Sequence, residues 1–100
     1  MRATALIALA SLGCAAAPAL AQPAVLAPPG VSACSGCHVA PGAGVATTIP
    51  PIHGRDAAEI VAAMQEFRSG QRPATVMDRL SRGFSDDEVR AIAAWLSAQR

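Results

Sequence analysis

Tyrosine and lysine are absent from this sequence, and one Trp and two Phe are the only aromatic side chains in one hundred residues. Large rings supply much of the buried surface of a small core, so a chain this poor in them has little to pack with. Cysteine is limited to Cys14, Cys34 and Cys37, and histidine to His38 and His53. A structural zinc site needs two more Cys or His at similar spacing, and a thioredoxin-like dithiol needs a βαβ setting; neither is present. No run alternates as a strand would, no internal repeat is visible, and no apolar run is long enough to span a bilayer. Charge of neither sign dominates, with eight Arg against seven acids. Nothing therefore suggests nucleic-acid binding or adsorption to an anionic membrane.

What the chain does have is Cys34-Ser35-Gly36-Cys37-His38. Cys-x-x-Cys-His is the attachment pattern for a covalently held c-type haem, in which two thiols add across the porphyrin vinyl groups and the imidazole takes one axial position. Residues three and four apart share a helix face, so these three side chains can meet one flat macrocycle. The spacing predicts a helix beginning near Val31 or Ser32, with Ser32 as N-cap and Cys34 near its start.

The first twenty-one residues read as a secretory signal peptide: Arg2, a short apolar run, and Ala19-Leu20-Ala21 as the cleavage pattern. Cys14 is expected to leave with it, although Leu12-Gly13-Cys14 also hints at lipidation. Removal of Arg2 leaves seven Arg against seven acids, a net protein charge near zero. Residues 22–30, rich in Pro and Ala, read as an extended arm, and 31–100 as one domain. A mature chain of roughly eighty residues has a marginal core of its own. A covalently fixed haem would complete it, so the haem-free chain is expected to be poorly folded.

Val39 to Pro51 holds three Pro and two Gly and reads as a loop. Asp56 to Arg68 is amphipathic, with Ala57, Ile60, Val61, Met64 and Phe67 on one side, and Ser69-Gly70 ends it. Gln71 to Gly83 reads as irregular and carries Met77. Ser85 and Glu88 form a capping box that opens a last helix, whose inner face is Val89, Ile92, Ala93 and Leu96 with Trp95 beside it. If the iron carries electrons it needs a partner opposite His38, and a thioether favours the ferrous state. Met77 in its loop is the first candidate, Met64 is better explained as core filling, and His53 would make a bis-imidazole site. Arg72, Arg79 and Arg82 flank Met77 and read as propionate anchors, a docking rim or solvated loop charges.

This order of motifs resembles the class I c-type cytochromes over nearly all of residues 31–100. The resemblance implies a small all-α fold of three to four helices wrapped around one haem c, with thioethers on Cys34 and Cys37 and axial ligands His38 and Met77. Members of that class carry a Pro-x-Leu-x-Gly segment whose Pro carbonyl holds the ligating imidazole. Pro50-x-Ile52-x-Gly54 is similar to it, which makes Pro50 the partner of His38, against an ordinary Pro-rich turn. More narrowly, the stretches Ile49 to Arg55, Glu59 to Gly70, Arg72 to Met77 and Gly83 to Asp86 are similar to the single-haem subunits of flavocytochrome c sulfide dehydrogenases. That similarity implies a periplasmic electron-transfer subunit, not itself an enzyme, paired with an FAD-containing flavoprotein that oxidises sulfide. It would pass electrons to downstream c-type cytochromes. Two other functions stay open: a freely diffusing carrier serving an oxidase or reaction centre, and a haem-based sensor or catalyst with a labile sixth ligand.

Overall fold

The computed structural model describes residues 26–40, 42 and 48–99. In order, α1 (Val31–Ser35), α2 (Ala57–Ser69), α3 (Met77–Leu80) and α4 (Asp86–Ser97) are joined by irregular segments, with a 3-10 turn over Ser81–Gly83 before α4. No strand occurs among the described residues, in keeping with the all-α expectation. The signal expected over 1–21, with Cys14, lies outside the described residues.

The ends of α2 and α4 are set by their own sequence. Asp56 Oδ1 accepts from Ala58 N at 2.9 Å and Glu59 N at 3.1 Å, pairing two of the amides that a helix start leaves open. Gly70 closes α2 by donating to the Glu66 and Phe67 carbonyls. At α4 the capping box is formed: Glu88 N donates to Ser85 Oγ at 3.3 Å, and Ser85 N donates to Glu88 Oε2 at 2.7 Å. Those bonds hold the Glu88 carboxyl below its usual range.

These two helices pack on each other through a small core. Val31, Ile60, Ile92, Ala93 and Leu96 are buried together, with Cys34, Ile52, Phe84 and Trp95 against them. The turn that follows Pro50 is tied to the far end of α4, where Gly54 N donates to Leu96 O at 2.8 Å. Gly54 has φ 74°, and a Cβ there would stand 3.0 Å from Gln99 O, so a side chain meets both strain and crowding.

Three local expectations are corrected. The N-cap of α1 is Gly30, not Ser32, and Cys34 lies near the end of this five-residue helix and not at its start. The reason is tertiary: Gly30 turns with φ 87°, and its missing Cβ makes room for Phe84, whose Cε1 would stand 2.9 Å from one. Met77 is not in an irregular loop but heads α3, where Arg79 N and Leu80 N donate to Val76 O at 3.0 and 3.1 Å.

Candidate haem cavity

A cavity of about 630 Å³ opens between α1, the 48–52 segment, α2 and the 72–80 arm. Cys34, Cys37 and His38 line it from one side. Although α1 ends at Ser35, helical bonding continues through the turn, with Cys37 N and His38 N both donating to Cys34 O at 3.2 and 2.9 Å. The shared face required of these three residues is thus kept by a turn and not by a longer helix. Both thiols are free, Cys34 half-buried and Cys37 exposed. Burial pushes the Cys34 thiol up, which keeps it protonated and slow to oxidise.

His38 Nδ1 lies 2.7 Å from the Pro50 carbonyl. A carbonyl only accepts, so Nδ1 carries the hydrogen and Nε2 keeps its lone pair for a metal. The bond crosses twelve residues of sequence and orients the ring at the cavity wall.

Met77 and Met64 both line the cavity, and His53 does not. His53 sits in the turn against α4, where its Nδ1 is buried with no hydrogen-bond partner among the described residues. That position sets His53 apart from the side chains that face the cavity. Met64 belongs to α2, one turn beyond buried Ile60, whereas Met77 stands at the head of the short α3. The rest of the wall is largely apolar, with Ile49, Ile52, Val76, Leu80 and Phe84 among its residues.

The expected Arg72, Arg79 and Arg82 cluster is split. Arg72 lines the cavity, bonded to Glu66 Oε2 at 2.7 Å and lying 5.5 Å over the Phe67 ring. Arg79 and Arg82 are exposed and do not line it. Arg55 does, and was missed, although its place directly after Pro50-x-Ile52-x-Gly54 was a usable signal.

The residues present fit a haem. The volume lies in the range of about 300–1,000 Å³ usual for ligand and cofactor pockets, with mostly apolar walls and a few placed polar groups. Two thiols, an imidazole with its second nitrogen engaged, two thioethers and two guanidinium groups face the cavity. Among the described residues no three His, Cys, Asp or Glu side chains converge closely enough to hold a metal ion by themselves. No helix among them is long and apolar enough to cross a membrane.

No family model matches the chain. Known proteins do. The chain is 32% identical over 72 residues to cytochrome c-554(548) of Halomonas halodenitrificans, covering 69% of this chain and 87% of that protein. It is 36% identical over 62 residues to the cytochrome subunit of sulfide dehydrogenase of Chlorobaculum tepidum, covering 62% of this chain and 56% of the relative. A thiosulfate dehydrogenase electron acceptor of Stutzerimonas stutzeri is 36% identical over 67 residues, covering 64% of this chain. Only 31% of that acceptor is spanned, so this chain corresponds to part of the longer protein.

Proposed function

The chain belongs to the class I c-type cytochromes, and from that premise we propose that it is a periplasmic one-electron carrier whose single haem c is held by Cys34, Cys37, His38 and Met77. The group, when bound, supplies an iron that cycles between ferrous and ferric states. Everything else is the work of the chain. Cys34 and Cys37 would hold the macrocycle through thioethers, and His38 would bind the iron through Nε2 while Pro50 holds its ring and tautomer. Met77 would offer the iron a soft thioether, which favours the ferrous state. Arg55 and Arg72 stand where they can neutralise propionates. The apolar wall excludes water, which keeps solvent reorganisation small during transfer.

The observation that carries this reading is the 2.7 Å bond from His38 to the Pro50 carbonyl in a cavity lined by both thiols and Met77. Spectra of Met77→Ala and Met64→Ala holoproteins test the ligand choice. The thioether charge-transfer band near the red end should vanish in the first and persist in the second; the reverse would move the ligand to Met64.

For the partner, we infer an FAD-containing flavoprotein that oxidises sulfide, on the similarity to a cytochrome subunit of sulfide dehydrogenase. The flavin would take two electrons from sulfide and release them singly, and sulfide itself would not meet this chain. The similarity to thiosulfate dehydrogenase electron acceptors favours a second reading, in which the donor oxidises thiosulfate. Capture from the native periplasm decides between them: co-purification of a flavoprotein that reduces the haem on adding sulfide supports the first, and reduction only with thiosulfate supports the second.

A further inference from the structure

Arg68, in the last turn of α2, is bonded to Ser81, Phe84 and Asp86, along the chain from the 3-10 turn to the start of α4. Its Nη2 donates to Phe84 O at 2.8 Å, while Nε and Nη2 both reach Ser81 O at 3.4 and 3.3 Å. Its Nη1 donates to Asp86 Oδ1 at 2.6 Å. Ser81 is fully buried, and its own N–H donates to the carbonyls of Met77 and Arg79. The Ser81 hydroxyl adds a bond to Asp78 O at 3.3 Å. The two backbone groups of Ser81 therefore link the Arg68 guanidinium, bonded to its carbonyl, to the Met77 carbonyl, bonded to its N–H.

The arm also packs against α2, but it buries little apolar surface of its own. Residues 72–76 form no helix, Val76 and Leu80 keep 54% and 46% of their surface exposed, and α3 has no buried residue of its own. The carbonyls of Ser81 and Phe84 sit at a 3-10 turn and its end, where regular helix donors run out. One planar guanidinium serves both and an acid of α4 as well. A lysine ammonium is a point charge on a flexible stem and does not reproduce that fork.

We propose that Arg68 is the positioning residue for the sixth ligand, holding the 77–84 arm against α2 so that Met77 stays seated on the iron. This rests on Met77 being the axial ligand. Without Arg68, the thioether exchanges more readily with outside ligands.

The test is titration of the ferric holoproteins with imidazole, read at the Soret band and the thioether charge-transfer band. Wild type is compared with Arg68→Lys, Arg68→Gln, Met77→Ala and Asp56→Ala. Asp56→Ala loosens the opposite end of α2 by removing its cap and controls for general destabilisation. Imidazole affinity is expected to rise about tenfold or more in Arg68→Lys, equivalent to roughly 1.4 kcal/mol, and to stay within about twofold of wild type in Asp56→Ala by the same conversion. If Arg68→Gln yields no holoprotein, Arg68→Lys decides. Unchanged affinity in Arg68→Lys, or an equal rise in Asp56→Ala, overturns the positioning role. A Met77→Ala protein that keeps the band and the wild-type affinity overturns the ligand assignment beneath it.

Discussion

Where α2 meets α4, Ile60 is 8% exposed, Leu96 1% and Ala93 0%, the first two forming the inner floor of the cavity as well; at its outer wall, Ile49, Leu80 and Val76 keep 37%, 46% and 54% of their surface open. Both regions are apolar in sequence. In the first, the apolar faces cover each other and the helix ends are capped by Asp56, Gly70, Ser85 and Glu88. In the second, the faces look into a hollow, and the segments that carry them are tied down by single bonds such as His38 to Pro50 and by the Arg68 clamp. With so few aromatic residues the chain has little of its own to fill that hollow, and the proposed haem is the group that would fill it. On that proposal the helix pair is stabilised by what it carries, and the cavity wall by what it would enclose.

The largest expected effect comes from depriving the wall of that group. Cys34→Ala with Cys37→Ala should yield a chain with no covalent haem, little helical circular dichroism and no cooperative melt. A cooperative native-like transition in that variant would show that the helix pair folds without the wall being filled.

Next comes the core between the helices. Leu96→Ala should cost the holoprotein about 2–5 kcal/mol, the usual penalty for truncating a buried leucine, measured by denaturant unfolding followed at the Soret band. A loss below about 1 kcal/mol would mean that the site collapses around the gap.

Ser85→Ala removes the hydroxyl half of the capping box at α4, and about 1 kcal/mol is expected to go with it. The midpoint should fall while the thioether band of the folded protein is unchanged, because the cap lies outside the cavity wall.

The smallest effect is one of pH. The Arg68 guanidinium holds the Asp86 carboxyl below its usual range, first by its hydrogen bond and then by its charge. The folded state thus releases that proton more readily than the unfolded chain. The stability so gained is complete above the ordinary carboxylate range and is lost as pH falls through the depressed folded value. Asp86 is exposed and Arg68 partly so, so solvent screens the pair and the gain is small. Asp86→Asn should flatten the acid limb of a stability-against-pH curve and leave the neutral plateau nearly intact; an unaltered acid limb would assign it to other carboxylates.

Most of this comparison was legible from residue types at fixed spacing. The pentad at Cys34, the amphipathic stretch from Asp56, the closing Gly70 and the Ser85 to Glu88 box each speak through local chemistry. What was not legible is tertiary. Nothing near Ser32 says that Gly30 will cap α1, because that choice depends on Phe84 arriving from fifty-four residues away. Arg68 reads as an exposed charge on a polar face until the 81–86 segment folds back over it. Val76 and Leu80 read as part of an irregular stretch because the surface they line exists only around the cavity.

The most direct test is the mass and ferric spectrum of the mature protein purified from a haem-loading host, before and after acidified organic solvent. The expected result is a chain heavier by one haem that survives extraction, with a low-spin spectrum and the thioether charge-transfer band. Haem that leaves in the solvent, or a high-spin ferric form without the band, would contradict a six-coordinate carrier anchored at Cys34, Cys37, His38 and Met77.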